Sequence, residues 1–197
     1  IATYIYTSGS TGLPKGIVTP HRTLLDGARI ISSYLQLTAQ DVILSILPYS
    51  FDYGLNQLLS TVYTGGRIVI HHFIFPKDTL DVLEREQITG LAAVPPVWPK
   101  LLKPALKKDR QFTQLRYITS GGGFHPPQLL ETISNFFPHT DIIVQYGLTE
   151  AFRSTYLPFT EMKKRPGCIG KAVPEVEILV LNDKGEPCRP GEKGELV

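Results

Sequence analysis

Between Asp41 and Gln145 the sequence repeats one kind of unit, a short apolar run followed by a segment of helical length. Val42–Leu47, Arg67–His71, Thr89–Val94, Leu115–Thr119 and Asp141–Gln145 have the length and apolar content of strands. Tyr53–Tyr63, Lys77–Gln87, Val97–Lys107 and Pro126–Phe137 read as the helices between them, the last opening on prolines where no first-turn N–H is needed. Strands joined by helices pair in parallel, because parallel neighbours require a long crossover. The predicted fold is therefore α/β, a mainly parallel sheet flanked by helices. The units share spacing but no self-similarity, which excludes a repeat protein.

Past Tyr156 the texture changes to Pro, Gly and short β-branched stretches. Val176–Leu181 and Glu195–Val197 read as strands around the turn Asn182-Asp183-Lys184-Gly185, a smaller β-rich region near the C-terminus. The sequence divides into an α/β core over 1–157 and a β-rich segment over 158–197, although a long surface loop explains the break near Pro158–Lys171 equally well.

Composition narrows the function. At 197 residues and 42% hydrophobic content, a compact fold removes roughly 70% of the unfolded surface from water and needs no metal or disulfide staple. Lysine and arginine number 20 and aspartate and glutamate 18, a net charge of +2 that argues against nucleic acid as a partner. Any anion site must be local. Cys168 and Cys188 have neither CxxC spacing nor histidine neighbours, so a zinc site or disulfide framework is not expected and a reducing cytoplasm is. No apolar run reaches the length of about 20 residues that spans a bilayer. The start Ile1-Ala2-Thr3-Tyr4 has no methionine or basic signal head, and Gly194-Glu195-Leu196-Val197 stops inside an apparent strand, so the chain is expected to be part of a longer one.

The strongest chemical signal is Tyr6-Thr7-Ser8-Gly9-Ser10-Thr11-Gly12-Leu13-Pro14-Lys15-Gly16, which follows the apolar run Ala2–Ile5. Glycines let backbone N–H groups approach a polyphosphate, hydroxyls add donors and a lysine brings a mobile positive charge. A flexible Ser/Gly loop has the same composition. It is not a Walker A loop, because Pro14 precedes Lys15 and Gly16 follows it.

This stretch resembles the phosphate loop of the AMP-forming ligases, the superfamily of acyl-CoA synthetases, amino-acid adenylation domains and luciferases. Gln145-Tyr146-Gly147-Leu148-Thr149-Glu150 resembles that superfamily's Tyr-Gly-x-Thr-Glu motif, and Gly194-Glu195-Leu196 its Gly-Glu-Leu motif. The resemblance implies that Thr7, Ser8, Gly9, Ser10, Thr11, Gly12 and Lys15 hold the phosphates of ATP. It further implies that Tyr146 stacks on adenine beside Gly147, that Thr149 contacts the α-phosphate and that Glu150 holds Mg²⁺, a hard cation that shares its site with phosphates. Lys15, Thr149 and Glu150 are then the catalytic set, since fixed donors and a metal stabilise the charge that develops at phosphorus. Read without the resemblance, Thr149-Glu150 is a helix cap and first turn.

Ser120-Gly121-Gly122-Gly123 resembles the family's turn lining the adenine and acyl pockets, and a tight connection after a parallel strand is also where open α/β sheets bind ligands. One feature departs from the pattern: Val144 stands where an amide is frequent, with Gln145 next to the motif tyrosine. For the substrate, Pro48-Tyr49-Ser50-Phe51-Asp52-Tyr53-Gly54-Leu55 is a hybrid. Asp52 matches the aspartate that anchors an amino-acid ammonium, whereas Phe51 stands where acyl-CoA synthetases often place histidine. Asp52 equally reads as a helix cap, and an acyl enzyme would have to keep it solvated or hydrogen-bonded. Trp98 resembles part of the acid-pocket helix, or is simply core. Phe51, Asp52, Trp98 and Gly122 form the expected acid site.

The run Ser50–Leu59 resembles bacterial acyl-CoA ligases more than peptide-synthetase modules. The resemblance thus implies conversion of a small carboxylic acid with MgATP to an acyl-adenylate and pyrophosphate, followed by thioester formation with CoA. A carrier-protein pantetheine thiol with an amino-acid substrate, and a nucleotide-binding module without catalysis, are the alternatives. It also implies a downstream ribose-binding aspartate, hinge and lysine-bearing C-terminal domain that this sequence does not contain, so the AMP-binding domain is expected to be incomplete and inactive alone.

Overall fold

A computed structural model describes residues 1–7, 13–105, 110–165 and 167–197 of the chain. It opens with an antiparallel hairpin of β1 (Thr3–Thr7) and β2 (Lys15–Thr19), followed by α1 (His21–Leu35). The alternation then runs β3 (Val42–Ser45), α2 (Asp52–Thr64), β4 (Arg67–Ile70), α3 (Pro76–Arg85), β5 (Gly90–Ala93), α4 (Val97–Ala105), β6 (Tyr117–Ser120), α5 (Pro127–Phe136) and β7 (Asp141–Tyr146). After it come β8 (Thr155–Pro158), α6 (Phe159–Lys164), β9 (Lys171–Ala172), β10 (Val180–Leu181) and β11 (Glu195–Leu196).

Seven strands form one sheet in the order β4-β3-β5-β6-β7-β8-β9. The first five are parallel, and β8 and β9 extend the sheet antiparallel. Spatial order reverses at β3, since the chain steps to β4 on one side and later returns to β5 on the other. Right-handed crossovers leading opposite ways along a sheet put their helices on opposite faces. Packing follows that rule. Leu80 and Leu83 of α3, Trp98 and Leu101 of α4, and Leu130 and Ile133 of α5 pack on Leu44, Leu91 and Ile118 in the larger core. On the other face, Ile31 and Leu35 of α1 meet Ile43 and Tyr117, while Tyr53 of α2 meets Leu47 and Ala92.

The α/β class and the mainly parallel sheet agree with the sequence reading, and element ends shift by one or two residues in most cases. The sequence reading of Val97–Lys107 runs past α4 into residues 106–109, which lie outside the described residues. α1 was not anticipated, although Leu24, Ala28, Ile31 and Leu35 carry a helical apolar spacing. Of the expected strand Val176–Leu181, Val180–Leu181 pairs with β11 in a separate two-stranded sheet, and Leu179 exchanges two backbone hydrogen bonds with Val197. Phe159 enters the main core and β9 joins the main sheet, so the α/β layer continues past residue 158.

The amino ends of three parallel strands are tied by one buried carboxylate. Asp41, just before β3, accepts from Thr89 Oγ1 at 2.7 Å, from the Thr38 N–H at 2.8 Å and from Arg116 Nη2 at 3.0 Å. Thr89 and Arg116 stand just before β5 and β6. Burial alone would raise the Asp41 pKa, but the Thr89, Thr38 and Arg116 hydrogen bonds outweigh it and hold the carboxyl below its usual range. Its stabilisation is present above the ordinary carboxylate pKa and is lost as pH falls through the depressed one. Asp41→Ala leaves several of these donors unpaired and is expected to lower unfolding free energy by roughly 2 kcal/mol, read from urea denaturation at neutral pH.

Candidate functional site

The opposite, carboxyl ends of the parallel strands converge on two adjoining cavities. The first, about 440 Å³, is lined by Thr7 and Lys15 from the hairpin, by Phe51, Asp52 and Tyr53 at the start of α2, and by Gly121 and Gly122 after β6. Gln145, Gly147, Leu148, Thr149, Glu150 and Arg153 close it from β7 and the loop that follows. The second, about 710 Å³ and mostly apolar, lies across Gly122, Gln145 and Gly147 from the first and takes Gly123, Tyr146, Phe124 and Cys168 into its wall.

Local sequence explains why these groups meet. Thr7 and Lys15 are the cross-strand partners at the end of the hairpin where β1 connects to β2, and both line the cavity. Ser8, Gly9, Ser10, Thr11 and Gly12 lie outside the described residues. Gly122 has φ +78°, which bends the turn after β6 in a way L side chains resist. At Gly147 a Cβ would stand 2.2 Å from the Phe152 carbonyl oxygen, so only glycine lets the loop fold back on itself. That fold is closed by the Ser154 N–H donating to Tyr146 O, and it holds Phe152 at φ +55°. It delivers Thr149 and Glu150 at one end and Arg153 at the other to a single cavity.

Asp52 and Arg153 form a buried pair on the cavity wall. Arg153 Nη1 lies 3.2 Å from Asp52 Oδ2, with the side chains only 8% and 5% exposed. Arg153 Nε donates to Gln145 Oε1, its Nη1 also donates to the Phe152 carbonyl, and its guanidinium lies 4.0 Å from the Tyr53 ring centroid. Tyr53 is held by its hydroxyl donating to Thr119 Oγ1, and burial pushes its pKa up to about 12, so it stays neutral. Gln145 in turn donates from Nε2 to the Tyr34 hydroxyl. Asp52 is therefore the first residue of α2 and carries no cap hydrogen bond. Gln145, the displaced amide of the motif, spends both ends of its side chain on neighbours.

The sequence reading did not single out Arg153. Nothing in Phe152-Arg153-Ser154 marks an arginine as buried; the signal is the glycine-dependent fold of the loop before it.

The family model described as AMP-binding enzyme matches residues 1–197. The chain belongs to the AMP-binding enzyme family. Indoleacetate–CoA ligase of Aromatoleum aromaticum is 29% identical over 98% of this chain and 38% of its own length. A dimodular nonribosomal peptide synthase of Bacillus subtilis is 28% identical over 98% of this chain and 8% of its own length. Among solved structures, VinN matches with a TM-score of 0.90 at 27% identity, over 99% of this chain and 48% of that one, and has been solved with L-aspartate. O-succinylbenzoate Coenzyme A Synthetase of Bacillus subtilis, in complex with ATP and magnesium ion, matches with a TM-score of 0.89 at 31% identity, over 99% of this chain and 40% of that one. The chain thus spans less than half the length of these family members.

Trp98 lines neither cavity. It is fully buried in the core, and its Nε1 donates to Ser120 Oγ at 2.8 Å. Ser120 Oγ is also 2.7 Å from His125 Nε2. With Trp98 as the donor to Ser120, the serine hydroxyl is free to donate to a neutral His125, so the network brackets Gly121–Gly123 from both sides. Burial lowers the His125 pKa from 6.5, and a backbone hydrogen bond to Gly123 only partly opposes it. The stability this contributes is complete above the ordinary histidine value and is lost as pH falls through the depressed one. Thermal midpoints between pH 7.5 and 5 are expected to fall with pH in the native protein, with a shallower slope in His125→Gln.

Proposed function

We propose that the protein activates a carboxylic acid with ATP and passes the acyl group to a thiol. The observation that carries this reading is the convergence of Thr7, Lys15, Thr149 and Glu150 on one cavity that Phe51, Tyr53, Gly122 and Leu148 also line, with room for an organic acid. ATP phosphates at the hairpin mouth meet Lys15 and the Thr7 hydroxyl, with the Ser8–Gly12 backbone joining them by resemblance to the family's phosphate loop. The adenine fits the apolar second cavity, against Tyr146 and the turn Gly121–Gly123.

In the first step a substrate carboxylate oxygen attacks the α-phosphorus, the bond to the bridging oxygen breaks, and its electron pair leaves with pyrophosphate. In this reading Thr149 donates to the α-phosphate oxygens and Lys15 offsets charge on the leaving group. Glu150 is exposed at the cavity and makes no ion pair among the described residues, so its hard carboxylate oxygens fit Mg²⁺. A bound Mg²⁺ supplies neutralisation of phosphate charge. Among the described residues there is no cluster of three metal-ligating side chains.

In the second step a thiol sulfur attacks the acyl carbon and AMP departs. CoA is the first reading of that thiol, supported by similarity to indoleacetate–CoA ligase and O-succinylbenzoate Coenzyme A Synthetase. A carrier-protein pantetheine, as for an amino-acid substrate, is favoured by one observation: the charged Asp52–Arg153 pair, beside similarity to VinN, which has been solved with L-aspartate. Among the described residues no helix is long and apolar enough to cross a membrane. We propose a cytoplasmic location.

Exchange of labelled pyrophosphate into ATP by the full-length protein tests the first step. Exchange is expected only with an acid present, falling at least about 100-fold in Lys15→Ala and Glu150→Gln. ATP binding without exchange for any acid would support the nucleotide-binding module instead.

A further inference from the structure

The turn that separates the two cavities is three glycines long and has no side chain of its own to hold it. Gly121 and Gly122 line the first cavity, Gly122 and Gly123 the second. Behind it, the Gln145 carbonyl and the Tyr53 ring stand against Gly121, and Pro95 against Gly123. Glycine loses more backbone freedom on ordering than any other residue. A ligand that had to order such a turn itself would bind more weakly for it.

One hydrogen-bonded chain closes around these glycines. An indole nitrogen only donates, so Trp98 Nε1 gives its proton to Ser120 Oγ at 2.8 Å, and the Ser120 hydroxyl gives its own to His125 Nε2 at 2.7 Å. His125 also bonds the Gly123 backbone, in a contact that favours the protonated ring. Such a contact is an N–H donated to the carbonyl, and with Nε2 accepting from Ser120 it places the proton of the neutral imidazole on Nδ1. Direction is thus fixed at every link, from Trp98 through Ser120 and His125 to the Gly123 carbonyl. Ser120 and Gly123 stand at the two ends of the turn, and His125 is bonded to both. The three side chains are buried, yet His125 also takes part in the wall of the second cavity.

We propose that His125 is a positioning residue for nucleotide binding: by bonding both ends of Gly121–Gly123 it presets the wall against which the adenine lies. The inference rests on the adenine placement proposed above and adds what holds that wall in shape. His125 acts through the turn and not on the reacting atoms. Its loss therefore falls on nucleotide affinity and spares the phosphate end at Thr7 and Lys15.

Equilibrium binding of AMP and of inorganic pyrophosphate to the full-length protein, beside the KM for ATP in pyrophosphate exchange, tests it. His125→Leu removes both hydrogen bonds at similar volume. It is expected to weaken AMP binding and raise the ATP KM at least about 10-fold, with kcat and pyrophosphate affinity changed by less than about threefold. His125→Gln keeps one donor and one acceptor and is expected to recover most of the AMP affinity. Ser120→Ala breaks the chain at its middle with little change in volume and should weaken AMP as His125→Leu does, so the test stands even where the leucine variant does not fold. A merely structural chain would lower the thermal midpoint and leave AMP affinity unchanged, or weaken AMP and pyrophosphate alike. Either result in a folded variant, or a glutamine variant no better than the leucine one, would overturn the proposal. AMP binding that depends on His125, without exchange for any acid, would support it and overturn the adenylation reading. No AMP binding by the native protein would overturn both.

Discussion

Parallel pairing governs everything else in this molecule. Strands that run the same way must be joined across a face of the sheet, so every turn after β3, β5, β6 and β7 emerges at the same edge. The Asp41 cluster ties the amino ends of β3, β5 and β6 at the other edge, which keeps the carboxyl ends in register. The reversal of strand order at β3 opens the crevice there, and ligands of open α/β sheets bind at such a point. Asp52, Gly122 and Glu150 are far apart in sequence and adjacent in space for this one reason.

Within the crevice, glycines set the division of labour. Gly122 and Gly147 stand between a polar, charged cavity and an apolar one, and both lack a side chain that would fill the passage. The walls are stiffened from behind: Trp98 and His125 bracket the turn after β6 through Ser120, and Tyr34 with Gln145 backs Arg153. These buried polar contacts cost desolvation and are each satisfied by a partner, the arrangement that makes a polar network rigid rather than weak. The Asp52–Arg153 pair on the cavity wall is the exception, joined by a single contact that leaves Asp52 Oδ1 and Arg153 Nη2 without partners among the described residues.

The layered fold was legible because periodicity reports burial directly: Ile43, Leu44, Leu91 and Ile118 sit in apolar runs that only a covered sheet can hide. α1 escaped notice because its start, Pro20-His21-Arg22-Thr23, has no side-chain cap and no acidic first turn, although its apolar spacing was present. Lys15, Gly122, Tyr146, Gly147, Thr149 and Glu150 were singled out by resemblance to family motifs, and the structure brings them to adjoining cavities. Arg153 was not. Its burial depends on a loop closure through Gly147 and Phe152, a three-dimensional fact with no local composition to announce it. Trp98 shows the converse. Its sequence reading left pocket and core open, and its N–H reaches Ser120 from inside the core.

The central claim is that the acid's carboxylate attacks the α-phosphorus at this edge of the sheet. The direct measurement is oxygen transfer: the full-length protein is given ATP, thiol acceptor and an acid labelled with heavy oxygen in its reacting carboxylate, and the products are read by mass spectrometry. Attack at the α-phosphorus places one labelled oxygen in each AMP released. Unlabelled AMP would mean that the acid's oxygen does not attack the α-phosphorus, and label in inorganic phosphate alongside ADP would mean that it attacks the γ-phosphorus; either result would contradict the account.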